Sequence, residues 1–175
     1  MLLDRFALWL AQGFGLGRVP RAPGTAGSIA GLLWFGVLVL VPSASCFFSG
    51  LVLSLLVSVA ITGRAEELLA QKDPNSVVLD EIVAIPVCFA GWMTMLWAHL
   101  GHWPAGAHVL RVDRWPEVVG ILVAFRVFDI LKPWPVRQVQ RLRGGWGITL
   151  DDLLAAFYVN LCVLALYLAR PAWLS

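Results

Sequence analysis

Charged residues are scarce in this sequence of 175 residues. Asp, Glu, Lys and Arg together make up 14% of the chain, whereas roughly 25% is usual in a soluble domain. No charged residue occurs between positions 22 and 63. Hydrophobic residues reach 59%, compared with about 45–50% in soluble proteins. The composition therefore excludes an ordinary soluble domain and predicts a membrane protein.

Basic tracts and clustered cysteines are also missing. The net charge is only +2, and no run of basic residues interleaves with aromatic residues, so nucleic-acid binding is not expected. The three cysteines stand alone in apolar runs and lack the close spacing of a zinc site or a disulfide framework. None is followed by the phosphate-binding loop and arginine that a cysteine phosphatase needs. No Gly-Lys-Ser/Thr motif and no Asp-x-Asp motif occurs.

Apolar runs near membrane-spanning length are what the chain has instead. They cover residues 26–41, 46–62, 82–100, 116–131 and 153–169. The run 116–131 would be only about 24 Å long as a helix, so it would span with local thinning of the bilayer or insert partly. Residues 1–12 have the pattern of an amphipathic helix, which either lies in the membrane interface or docks on the bundle. We predict an all-α membrane bundle of about five apolar helices and a short N-terminal amphipathic helix, forming one domain of residues 1–175.

The distribution of arginine and lysine predicts the orientation of these helices. With five spans and the N-terminus inside, nine basic residues fall on the cytoplasmic side and three outside. The nine are Arg5, Arg18, Arg21, Arg64, Lys72, Lys132, Arg137, Arg141 and Arg143, and the three are Arg111, Arg114 and Arg170. This bias follows the positive-inside rule. The same topology brings the charged motifs of the chain to one face, which predicts a site facing the cytoplasm.

The segment 125–152 holds the densest group of charges. Arg126, Asp129 and Lys132 are spaced three apart, so on a helix they share one face. A loop between two spans would explain the basic residues as topology signals, but it would not explain an acid surrounded by apolar residues. Ionisable groups in such surroundings are costly and mark functional sites. We therefore predict a site around Asp129.

Acidic residues also occur as two adjacent pairs, Asp80-Glu81 and Asp151-Asp152. Crowded carboxylates repel one another, and a hard divalent cation such as Mg²⁺ or Mn²⁺ relieves that repulsion. An alternative is that Asp80 and Asp151 cap the N-termini of helices, a role worth about 1 kcal/mol each. Capping would leave Glu81, Asp152 and Asp129 without an explanation.

Cations beside the acids point to a phosphorylated substrate. Arg126, Lys132 and one of Arg18 or Arg21 would supply positive charge for phosphate oxygens. The backbone at Gly24-Thr25 opens the first apolar run, where free N–H groups bind phosphate. Acidic metal ligands together with basic groups favour phosphoryl chemistry on a lipid, through a metal-activated water or a covalent aspartyl route.

Four segments, in this order, resemble bacterial phosphatidylglycerophosphatase A. They read GFGLGRVPRAPGTAGS, DPNSVVLDE, FRVFDILKPWP and GGWGITLDD. The resemblance runs from about Gly13 through the last span. It implies a Mg²⁺-dependent phosphatase of the bacterial inner membrane, built as a helical bundle around a central helix. Its substrate would be phosphatidylglycerophosphate, hydrolysed to phosphatidylglycerol and phosphate.

The resemblance also implies roles for individual residues. Those matched to metal ligands are Asp80, Glu81, Asp129, Asp151 and Asp152, and all of these except Asp151 are also expected to be catalytic. Those matched to substrate contacts are Gly24, Thr25, Arg126 and Lys132. Ala84 and Ala156 stand where the family tends to have glycine, a difference that concerns packing.

Two other classes remain as alternatives. A CDP-alcohol phosphatidyltransferase also uses clustered aspartates on a lipid phosphate, but its Asp-Gly-x-x-Ala-Arg signature is absent from this chain. A small transporter would place its ionisable residues near the bilayer midplane, often within an internal repeat. Here the ionisable residues gather at the ends of apolar runs and no repeat is visible.

Overall fold

The computed structural model describes residues 2–169, and every regular element in this range is helical. The α-helices are α1 (Leu2–Ala11), α2 (Pro23–Leu38), α3 (Ala44–Leu69), α4 (Leu79–Cys88), α5 (Ala90–Leu100), α6 (Gly106–Val109), α7 (Trp115–Leu131), α8 (Val136–Val139) and α9 (Gly145–Ala169). Two short 3-10 helices span Gly13–Arg18 and Val112–Arg114. The prediction of an all-helical protein is confirmed. Arg170, which the charge count assigns to the outer side, lies outside the described residues.

Three helical stretches in the described range are long and apolar enough to cross a membrane, fewer than the predicted five. They are Ala44–Leu69, Leu79–Leu100 and Gly145–Ala169. The second contains α4 and α5, which meet at Phe89. The other two predicted spans correspond to α2, of 16 residues, and α7, of 17. At 1.5 Å per residue these measure only about 24–26 Å, less than the roughly 30 Å of a hydrocarbon core.

The start of α9 differs from the sequence-based expectation. The capping alternative requires Asp151 to lie at the N-terminus of a helix, but α9 already begins at Gly145. Asp151 and Asp152 therefore lie in its second turn. The N-cap of α4 is Val78, with no side-chain cap hydrogen bond. The capping explanation for Asp80 and Asp151 is thus wrong.

Two glycines in the first turn of α9 let other backbone segments come close to it. A Cβ on Gly145 would lie 1.8 Å from the carbonyl oxygen of Val59 in α3, and one on Gly147 would lie 2.3 Å from that of Leu142. The structure uses these glycines for close backbone contact. Small residues allow helices to approach in this way inside membrane proteins. Next to this contact, Ser58 and Thr149 share a buried hydrogen bond of 3.0 Å.

Helix α4 lies at the centre of the bundle. It packs against α2, α3, α7 and α9, and Ala84, Ile85 and Cys88 are completely buried. Beyond its end, Phe89 stacks on Phe35 of α2 with ring centroids 4.2 Å apart. The core around these rings is apolar, so α4 is held by packing and its first turn is fixed relative to the surrounding helices.

Helix α1 docks on the bundle and still exposes an apolar face. Ala7 and Ala11 are buried, and Asp4 pairs with Arg64 of α3 at 2.6 Å. Leu2 and Phe6 remain exposed. The structure is therefore compatible with both alternatives for this helix. One face is docked on the bundle, and the other is suited to a membrane interface.

Candidate active site

A cavity of about 760 Å³ opens where several helix ends meet. Helices α2, α4 and α9 each begin beside it, α7 ends beside it, and the loop after α3 forms part of its wall. All nine residues that the sequence analysis selected line this one cavity. They are Gly24, Thr25, Asp80, Glu81, Arg126, Asp129, Lys132, Asp151 and Asp152. The structure thus brings the four motifs together, and the role of each residue stays a prediction.

The first turn of α2 forms one wall against Glu81. A Cβ on Gly24 would lie 2.2 Å from Glu81 Oε1 and 3.0 Å from Arg126 Nη1. A Cβ here would force the ends of the Glu81 and Arg126 side chains to shift. One turn further along α2, the Ser28 hydroxyl lies 3.0 Å from the Gly24 carbonyl oxygen and 3.3 Å from Glu81 Oε2. The Glu81 carboxylate is therefore held at the start of α2.

Arg126 joins two carboxylates across the cavity. Its Nη1 lies 3.1 Å from Glu81 Oε2 on α4 and 3.0 Å from Asp129 Oδ2 on α7. The contact with Asp129 follows the i,i+3 spacing that the sequence predicted. The contact with Glu81 connects residues 45 positions apart and could not be read from local spacing.

Lys132 holds the acid of α9. Its Nζ donates a hydrogen bond to Asp151 Oδ2 at 2.7 Å. Lys132 also ends α7 in the left-handed region, with φ of 44°, which turns the chain sharply at the cavity. Burial alone would lower the pKa of Lys132, but the hydrogen bond and charge of Asp151, together with Asp129 and Asp152, raise it above its ordinary value. Lys132 is therefore a stable cation at this position.

Asp80, Asp151 and Asp152 are the buried carboxylates of the cavity, with exposed fractions of 7%, 5% and 3%. Asp80 Oδ1 and Asp152 Oδ2 are buried without a hydrogen-bond partner among the described residues. Buried carboxylate oxygen atoms without partners are costly. Such atoms are suited to receive a cation that the protein does not itself supply.

The loop after α3 adds three more polar residues to the site. Asp73, Asn75 and Ser76 line the cavity. Asp73 has a φ of 48°, and its Oδ2 accepts a hydrogen bond of 2.8 Å from Gln140 beyond α8. Asp73 both ties the loop down and lines the cavity. In the sequence, the DPNS turn at residues 73–76, shortly before Asp80-Glu81, could have indicated that this loop belongs to the site.

The donor chemistry of the cavity fits a hard divalent cation. Six carboxylates and three cationic side chains line it, so it has an excess of three negative charges when all are ionised. Within residues 2–169, no three acidic, histidine or cysteine side chains already stand at metal-ligand spacing. The oxygen-only donors and the two unpartnered buried oxygen atoms nevertheless suit Mg²⁺ or Mn²⁺.

Comparison with known proteins gives a consistent family. The family model described as phosphatidylglycerophosphatase A matches residues 9–167. A phosphatidylglycerophosphatase A of Haemophilus influenzae is 32% identical over 158 residues, covering 90% of this chain and 86% of the relative. That of Escherichia coli K12 is 29% identical over 147 residues, covering 83% and 74%.

A third relative has a different name. A putative phosphatidylinositol-3-phosphatase of Bacteroides thetaiotaomicron is 33% identical over 153 residues, covering 85% of this chain and 86% of the relative. No solved structure matches this chain. All three relatives are named for removing a phosphate from a glycerophospholipid.

Proposed function

Because the chain belongs to the phosphatidylglycerophosphatase A family, we propose that it converts phosphatidylglycerophosphate to phosphatidylglycerol and inorganic phosphate. The observation that carries this proposal is the convergence of buried carboxylates and cationic side chains in one cavity. The cavity lies at the end of helices long enough to cross a membrane, where a lipid headgroup would reach it. A metal-dependent hydrolysis of a phosphomonoester uses this combination of groups.

The carboxylates would hold Mg²⁺. Asp80, Glu81, Asp129, Asp151 and Asp152 are the proposed ligands. When bound, Mg²⁺ supplies charge neutralisation at the phosphate and lowers the pKa of a bound water. Asp80 and Asp152 support this proposal most strongly, because each has a buried oxygen atom without a partner.

The remaining groups of the cavity would bind and orient the phosphate. Arg126 uses Nη1 for its two carboxylates, which leaves the other guanidinium N–H groups for phosphate oxygens. The N–H groups of Gly24 and Thr25 belong to the first turn of α2 and so have no intrahelical partner, and both residues line the cavity. Lys132 holds Asp151 in place through their 2.7 Å hydrogen bond.

Phosphatidylinositol 3-phosphate is a second possible substrate. The Bacteroides relative named for it covers as much of the chain as the others do. The two lipids share one chemistry, since each carries a phosphomonoester on an alcohol that a phosphodiester joins to diacylglycerol. A CDP-alcohol phosphatidyltransferase or a small transporter receives no support from the relatives.

Activity and metal dependence can be tested together on the purified protein in detergent. We expect phosphate release from phosphatidylglycerophosphate with Mg²⁺, loss of release on adding EDTA, and recovery when excess Mg²⁺ is restored. Mass spectrometry should identify phosphatidylglycerol as the other product. Full activity in EDTA would overturn the metal proposal. Absence of release from phosphatidylglycerophosphate, with release from phosphatidylinositol 3-phosphate, would select the second substrate.

We also propose that the protein lies in the bacterial inner membrane with the cavity facing the cytoplasm. The excess of arginine and lysine near the cavity end supports this orientation. Successive helices alternately begin and end at the cavity, as five crossings would require. The apolar helices α2 and α7 then complete the crossings by tilting little or by thinning the bilayer.

Labelling of single cysteines tests this orientation. Cys46 and Cys162 are exposed, so both are first replaced by Ala. In that background we expect Ala105→Cys, at the far end of the bundle, to react with a membrane-impermeant maleimide in intact cells. Arg143→Cys, at the cavity end, should react only after the membrane is permeabilised. Rapid labelling of Arg143→Cys in intact cells would show that the cavity faces away from the cytoplasm and would contradict the proposed orientation.

A further inference from the structure

Arg21 lies on the rim of the cavity, in the loop that leads into α2. Of the two arginines that the sequence offered here, Arg21 lines the cavity and Arg18 does not. Arg18 instead donates a hydrogen bond from Nε to Gln12 Oε1 at 2.8 Å. The structure thereby distinguishes two residues that the sequence left equivalent.

Arg21 is the one cation of the cavity that is not committed to a carboxylate within residues 2–169. Arg126 lies 3.1 and 3.0 Å from Glu81 and Asp129, and Lys132 lies 2.7 Å from Asp151. In the described range Arg21 makes neither an ion pair nor a hydrogen bond, and its side chain is exposed. Its guanidinium is therefore available to an anion that enters the cavity.

The backbone that carries Arg21 is restricted. Pro20 precedes it, and Pro23 begins α2 two residues later. Proline fixes its own φ and limits the residue before it, so this loop has few conformations to lose when an anion binds. The guanidinium offers a planar pair of donors that matches two oxygen atoms of one phosphate.

The surroundings of Arg21 indicate which phosphate it would meet. Asp80 and Asp152, each with a buried oxygen atom that lacks a partner in the described structure, lie deep in the cavity, and the phosphomonoester must reach them to be hydrolysed. On the same loop as Arg21, Val19 lines the cavity and is 42% exposed. The preceding 3-10 helix carries Phe14, which is 59% exposed. Exposed apolar side chains on this segment suit the level of the acyl chains. In such a lipid, the phosphate that lies between the phosphomonoester and the acyl chains is the phosphodiester that joins the headgroup to diacylglycerol.

We propose that Arg21 binds the phosphodiester of the lipid substrate and so selects phosphomonoesters that are attached to diacylglycerol through a second phosphate. The proposal rests on the function proposed above and names the substrate feature that the site recognises. It applies equally to phosphatidylglycerophosphate and to phosphatidylinositol 3-phosphate. Arg21 is a specificity residue here, and the chemistry remains with the buried acids.

Product inhibition separates the two phosphate positions. Phosphatidylglycerol keeps only the phosphodiester, whereas inorganic phosphate has the form of the released phosphomonoester group. For Arg21→Gln we expect the inhibition constant of dioctanoyl phosphatidylglycerol to rise about tenfold, the loss of one charge-assisted hydrogen-bonding group. The inhibition constant of inorganic phosphate should change less than twofold. The KM for phosphatidylglycerophosphate should rise more than kcat falls.

Two further variants make the result specific. Arg5→Gln removes the same charge from an exposed arginine of α1 that lies outside the cavity, and we expect it to change neither inhibition constant. Arg21→Lys keeps the charge without the planar fork and should give an intermediate rise. Equal rises for both inhibitors in Arg21→Gln, or no rise for phosphatidylglycerol, would overturn the proposal.

Failure of the proposed function would look different. If the unsubstituted protein releases no phosphate from phosphatidylglycerophosphate, that function is wrong whatever Arg21 does. Calorimetric titration with dioctanoyl phosphatidylglycerol, at a fixed detergent concentration, would still compare Arg21→Gln with Arg5→Gln. Equal affinities in that titration would exclude a phosphodiester contact at Arg21.

Discussion

Replacing Asp152 by Asn is expected to lower kcat by at least about a thousandfold while leaving the protein folded. Asp152 is 3% exposed, lines the cavity, and has a buried oxygen atom without a partner in the described structure. An amide of the same shape cannot supply the negative charge that a Mg²⁺ ligand needs. Phosphate release from phosphatidylglycerophosphate at saturating Mg²⁺ measures the loss.

Stability distinguishes a functional acid from a structural one. The Asp152 carboxylate is buried next to Asp80 and Asp151 on the same cavity wall, so neutralising it removes repulsion and a desolvation cost. We expect the unfolding midpoint of Asp152→Asn in EDTA to equal or exceed that of the unsubstituted protein. Glu67→Gln provides a control, since this exposed acid pairs with Arg64 away from the cavity. Activity within a few-fold of the parent would remove Asp152 from the site.

Replacing Gly145 by Ala is expected to lower the unfolding midpoint by about 10 °C, equivalent to about 3 kcal/mol, and to reduce activity with it. The added Cβ would lie 1.8 Å from Val59 O and 2.8 Å from Gly63 N. Both are backbone atoms of α3, so no side-chain rotation relieves the clash and the two helices must separate. Because α9 carries Asp151 and Asp152, this separation also displaces two acids of the cavity.

Gly36→Ala is the matched control for this substitution. Gly36 lies inside α2, and a Cβ there would meet nothing within 4 Å. Alanine also has the higher helix propensity, by about 1 kcal/mol, so we expect an unchanged or slightly higher midpoint. Thermal unfolding in detergent compares the two variants. If both behave alike, α3 and α9 do not pack as closely as the structure has them.

The sequence alone predicted the fold class and nine of the residues that line the cavity. The absence of charge between positions 22 and 63 and the apolar runs are local properties, and they suffice for membrane helices. Asp129 could be selected because a lone acid among apolar residues is costly wherever it sits. The spacing of Arg126 and Asp129 likewise predicted their contact, because both lie on one turn of one helix.

The number of long spans and the starts of the helices could not be read in the same way. Hydropathy does not separate a helix of 16 residues that ends in a packed turn from one that continues to the membrane surface. The glycines at 145 and 147 have the composition of a loop. In the structure both are helical, and Gly145 packs against the backbone of α3, a segment far away in the sequence.

Only the tertiary structure determines which charged side chains of the cavity pair with one another. It pairs Arg126 with Glu81 and Lys132 with Asp151, and it leaves Arg21 uncommitted within the described range while Arg18 bonds to Gln12. These choices depend on which helix ends are brought to the same cavity, and local sequence carries no information on that arrangement. The motifs therefore determined which groups are present, and the packing of α2, α7 and α9 around α4 determined which of them are free to bind a lipid phosphate.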